Sequence, residues 1–94
     1  MTRKEAHKKV VWDYNIDNTT FWEIFDGKKT LGWFNQNWAL VRLIENLNYY
    51  DLIEVVPFEL IAQRWDAIKI KIRREDVRRG LEFVIRKRTL STPE

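Results

Sequence analysis

At 94 residues the chain is the length of one domain, and with no cysteine it has neither disulfides nor the cysteine-containing zinc ligand sets. Its hydrophobic fraction of 45% and aromatic fraction of 14%, with five tryptophans, supply a core and exclude a disordered chain. The net charge of +3 is unevenly spread. Residues 1–16 carry four basic side chains against two acidic, residues 17–66 four against eight, and residues 67–94 nine against four.

Residues 1–9, MTRKEAHKK, are polar and read as a frayed tail leading into no apolar run of signal-peptide length. No stretch reaches the ~18 uninterrupted apolar residues of a membrane span. Together with the absence of cysteine, this sets a cytoplasmic expectation. The sequon Asn18-Thr19-Thr20 has no consequence without a secretory route. Residues 10–14 are an extended candidate. Asp17 or Asn18 then caps a first helix over residues 19–26, with Phe21, Ile24 and Phe25 on one face and Gly27 closing its end.

Residues 28–34 form a loop around Gly32, and Asn35 caps a second helix over residues 36–47. Leu40, Leu43, Ile44 and Leu47 there fall in one stripe at roughly 100° per residue. A third helix runs from Asn48 to Val56, because the residue before Pro57 is forced out of helical geometry. Pro57 suits the start of a fourth, on which Phe58, Ile61, Ala62 and Trp65 share a face. Residues 67–72 are ambiguous. Ile68, Ile70 and Ile72 alternate like a half-buried strand whose only evident partner is residues 10–14. The last helix, residues 75–88, places Val77, Leu81, Val84 and Ile85 on one side, and Gly80 within it implies close packing. Residues 91–94 read as a second frayed tail.

The fold expected is therefore all-α: one domain over residues 1–94, a small orthogonal bundle of four or five short helices with an extended N-terminal segment. The alternative is α+β, with a two-stranded ribbon of residues 10–14 against 68–72. The core is expected to hold Phe21, Ile24, Phe25, Leu40, Leu43, Ile44, Leu47, Ile53, Ile61, Leu81 and Val84.

Chemistry-bearing constellations are sparse. His7, the one histidine, lies in the lysine-rich tail and reads as solvated rather than metal-bound. The only serine, Ser91, has no histidine in a folded segment to act as its base. Gly27, Gly32 and Gly80 are too dispersed for a phosphate-cradling loop. Asp13, Asp17, Glu23 and Asp26 could pair for acid–base work, but helix capping accounts for Asp17. No catalytic residue, metal or cofactor is expected, and the reading is non-enzymatic.

Two features point to binding. Trp38 lies opposite the Leu40 stripe, Tyr50 falls beside Glu54, and Phe83 projects off the Val77/Leu81/Ile85 face. These three are the candidate partner-binding residues, since aromatics are enriched in interfaces. The competing reading of Trp38 is that it folds back against the loop carrying Trp33 and Phe34. The basic C-terminal block supplies the alternative, a nucleic-acid contact through Arg73, Arg74, Arg78 and Arg79. Against it, Glu75–Arg79 and Glu82–Arg86 have the spacing of helix ion pairs.

The segments WDYNI (12–16), WEIFDGKK (22–29), WALVRLIENLNYYDLIEVV (38–56) and EFVIRKRTL (82–90) resemble a family of small, uncharacterised bacterial helical proteins. Such chains are often encoded beside nucleotidyltransferase-like proteins of the toxin–antitoxin type. The resemblance implies a cognate protein partner and an antitoxin-like accessory role, with self-association as the other form of protein binding. It carries no catalytic residues. The chain departs from the family at its alternating isoleucines, where the family has a short helix.

Overall fold

The computed structural model describes residues 1–11 and 15–91, with side chains through residue 88. Among the described residues seven α-helices follow one another: α1 (Arg3–Val10), α2 (Asn18–Phe25), α3 (Gln36–Asn46), α4 (Tyr49–Val55), α5 (Phe58–Gln63), α6 (Trp65–Ile68) and α7 (Glu75–Ser91). A 3₁₀ turn over Lys69–Lys71 extends α6. Among the described residues there is no strand, only an isolated bridge between Leu31 and Phe34.

The helix ends follow the capping side chains. Asp17 accepts from the Thr20 amide at 2.7 Å, Asn35 from Trp38 at 2.9 Å and Asn48 from Asp51 at 2.8 Å. Bonds from the Thr20 hydroxyl and amide hold the Asp17 carboxyl below its ordinary pKa. Gly27, at φ +79°, closes α2 with paired bonds from the Gly27 amide to Ile24 and from the Lys28 amide to Glu23. This left-handed cap satisfies two carbonyls that the helix leaves over.

The N-terminus departs from the tail expected over residues 1–9. Thr2 and Glu5 form a reciprocal capping box, in which the Glu5 amide donates to the Thr2 hydroxyl and the Glu5 carboxylate accepts from the Thr2 amide at 2.9 Å. The Thr2 amide bond lowers the Glu5 pKa. Ala6 and Val10, one turn apart, are fully buried, and the Arg42 guanidinium donates to the Val10 carbonyl at 2.6 and 2.9 Å. His7 is half-buried rather than solvated, its Nε2–H donating to the Ile16 carbonyl at 2.6 Å. The Met1 amino group bonds Glu54 at 2.9 Å, which raises its pKa. Of the extended candidate over residues 10–14, Val10 is helical, whereas Trp12, Asp13 and Tyr14 lie outside the described residues.

The ribbon alternative fails at its other strand. Ile68 ends α6 and Ile72 follows the 3₁₀ turn; both are buried, while Ile70 is 77% exposed. The buried pair is four residues apart with an exposed residue midway, which is the spacing of a helical turn; a strand would have set Ile70 on the same face as Ile68 and Ile72.

The core gathers on α3, against which α1, α2, α4 and α6 all pack. Leu40, Leu43 and Ile44 on this helix are fully buried. Two expected core residues lie elsewhere: Ile53 is exposed, and Val84 is only half-buried. Trp65 begins α6 instead of continuing α5, because the chain breaks at Arg64. Its indole N–H is buried with no hydrogen-bond partner. Helix α7 is the least embedded of the long helices, with Leu81 its one buried residue among those described.

Candidate functional site

Four aromatic residues, Phe21, Trp33, Phe34 and Trp38, gather at the start of α3. Gly32, at φ +59°, allows a two-residue turn closed by reciprocal Leu31–Phe34 backbone bonds of 3.2 and 2.9 Å. The turn folds Phe34 onto Trp38, with ring centroids 4.4 Å apart, while Trp33 and Phe21 meet the same indole at 6.3 and 6.0 Å. Trp38 is thereby half-buried against the loop, and Trp33 stands out at the turn's tip. On the far side Arg3 lies 4.5 Å over the Trp22 ring and pairs with both oxygens of Asp26.

The basic residues are largely engaged within the chain. Arg78 and Arg79 pair with Glu75 at 3.6 and 2.7 Å, and Arg86 with Glu82 at 3.3 Å. Arg74 pairs with Asp76 at 3.2 Å and reaches the Glu45 carbonyl. The Arg73 amide donates to the Glu45 carboxylate at 2.6 Å, which ties the approach to α7 onto the end of α3. The Arg73 side chain is exposed. The four candidate arginines therefore lie around the first turns of α7, mostly held by neighbouring acids.

Beside Arg74, α7 leaves a cleft of about 520 Å³ against the α3–α4 corner. Its apolar wall is Ile44, Leu47 and Leu52 on one side and Val77, Leu81 and Val84 on the other. Asn46, Asn48, Tyr49 and Arg74 add polar groups, and among the described residues no carboxylate lines it. The volume lies within the ~300–1,000 Å³ range of ligand and anchor pockets. Gly80 also lines the cleft, and among the described residues the close packing expected of it is absent: a Cβ at this position would meet none of them within 4 Å.

Tyr50 is 77% exposed on α4, its ring 6.0 Å from that of Tyr49, and Phe83 is 66% exposed on α7. The two helices that bracket the cleft thus carry two of the three candidate partner residues. Trp38 is not brought to them, because it sits at the opposite end of α3, about 10 Å away along the axis. Sequence reasoning missed Tyr49 and Ile53, which share an exposed face one turn apart on α4, and the role of Gly80 as a cleft wall. The signal for the first was present, since Ile53 follows Tyr49 at helical spacing.

Among the described residues no group of three or more His, Asp or Glu converges to hold a metal, and no helix is long and apolar enough to cross a membrane. Comparison of the chain with protein-family models, curated proteins and solved structures finds no match.

Proposed function

We propose that this chain is a non-enzymatic protein-binding module whose contact face is the α4–α7 cleft and its rim. The observation that carries the reading is the coincidence of an apolar cleft with exposed Tyr49, Tyr50, Ile53 and Phe83 on the helices that form it. Exposed apolar residues on the helices around an apolar cleft favour an interaction site, and aromatic anchors dominate the energetics of such sites. The partner is a protein offering an apolar side chain to the cleft, within an antitoxin-like accessory role or self-association. Cytoplasmic residence belongs to the same reading. Nucleic-acid binding through Arg73, Arg74, Arg78 and Arg79 has less support, because two intrachain acids, Glu75 and Asp76, already engage three of the four.

The test is photo-crosslinking in cells. A photoreactive phenylalanine at position 50 or 83 should give a discrete protein adduct, whereas the same residue at exposed Thr19, distant in sequence on α2, should give none. No adduct at 50 or 83, or equal labelling at all three sites, would overturn the reading.

A further inference from the structure

We infer that the protein seated on this cleft is a second copy of the chain, through an antiparallel two-fold pairing of α7; this rests on the protein-binding reading and specifies its partner. Gly80 lies in the interior of α7. Glycine within a helix is unfavourable relative to alanine, and one use that offsets the cost is close approach of another group to the backbone. Among the described residues nothing approaches: the position is exposed, and a Cβ there would find open space. The group that exploits this glycine is then one brought by a second molecule.

The stripe around Gly80 identifies that group. Asp76, Gly80, Phe83 and Lys87 succeed one another at steps of four, three and four, the spacing of a coiled-coil seam. They occupy an arc of about 60° on α7, and all four are exposed. The stripe is complementary to itself when reversed. A two-fold axis between Leu81 and Glu82 sets Asp76 of one copy against Lys87 of the other, and Gly80 of one against Phe83 of the other. Each contact occurs twice, as an isologous interface requires. A parallel pairing in register would instead oppose Asp76 to Asp76 and Phe83 to Phe83.

In the antiparallel arrangement each Phe83 ring enters a hole floored by the second copy's Gly80 and flanked by its Val77 and Val84, all three on the cleft. The pairing therefore assigns an opposing residue to the exposed aromatic, the open glycine and the charges at both ends of the stripe. Two helices meeting along three turns lie at the small end of specific interfaces, so the dimer is reversible and concentration-dependent.

Sedimentation equilibrium on the full chain tests this. The mass should double as concentration rises, and Phe83→Ala and Gly80→Leu should each abolish the doubling while keeping the helical spectrum and a cooperative melt. Asp76→Lys and Lys87→Asp should each weaken the dimer roughly tenfold, and the double exchange should restore it. A monomer at every concentration, or a dimer indifferent to Phe83→Ala and Gly80→Leu, overturns the pairing. A monomer that still forms a crosslink from position 83 to a different protein would sink self-pairing alone. Absence of any adduct would sink both readings.

Discussion

Individual side chains set much of the pH and mutational response. The carboxyls of Glu5 and Asp17 are held below their ordinary pKa values by the amides and hydroxyls they cap. Groups depressed in the folded state stabilise it above their unfolded pKa, near 4, and lose that contribution as pH falls through the folded value. Acidification from pH 5 towards pH 3 should therefore loosen the first turns of α1 and α2, seen as early shifts of the Glu5 and Thr20 amide resonances. The Met1 amino group has the opposite sign. Its raised pKa means the bond to Glu54 is intact below about pH 8 and is lost as pH rises past its folded value. At Trp65 the buried, unpaired indole N–H makes removal of the donor favourable in itself. Trp65→Phe should cost less than about 1.5 kcal/mol in urea unfolding, whereas Trp65→Ala should cost about 3–5. Gly80→Ala should raise the stability of the isolated chain by about 1 kcal/mol, since helix propensity improves and the added methyl meets none of the described residues.

Among the elements, α3 carries the fold, because four other helices rest on it. Leu43→Ala or Ile44→Ala, both at fully buried sites, should cost about 2–5 kcal/mol by denaturant melting. A neutral result at both would remove α3 from the centre of the core. The sequence made α2, α3 and α4 legible because each announces its start with Asp or Asn one residue ahead and repeats its apolar residues at helical spacing. It hid α1, whose eight residues bury only Ala6 and Val10. The available signal was the Thr2–Glu5 spacing of a capping box, faint beside four lysines and arginines. At residues 68–72 the pattern was equivocal in physical terms: isoleucines at 68, 70 and 72 satisfy a two-residue repeat, while Ile68 and Ile72 alone satisfy a four-residue one, and only the exposure of Ile70 in the folded chain separates the two. The candidate site was half legible. Phe83 and Tyr50 could be placed off their helices' apolar faces by angle alone. The cleft depends on how far α7 stands from α4, a tertiary distance that no local pattern encodes.

For the whole molecule, the uneven charge has consequences for nonspecific partners. The basic C-terminal third attracts polyanions, but Glu75, Asp76 and Glu82 compensate several of its arginines locally. Binding to arbitrary duplex DNA should be weak, roughly 10⁻⁴–10⁻⁶ M at physiological salt, and should fall steeply as salt rises. Fluorescence anisotropy across a salt series would measure it. Tight, sequence-preferring binding lost on changing Arg73, Arg74, Arg78 and Arg79 would displace the protein-binding reading in favour of the nucleic-acid one.

The shallow seating of α7 also bears on dynamics. With Leu81 its one buried residue among those described, the helix can detach while α3 and the helices around it stay intact. Native-state hydrogen exchange should then resolve two cooperative units. The amides of α7 would exchange through a sub-global opening of lower free energy, and those of α3 only through complete unfolding. If α7 pairs with a second copy, raising the protein concentration should slow exchange in α7 selectively and bring the two units towards a single value.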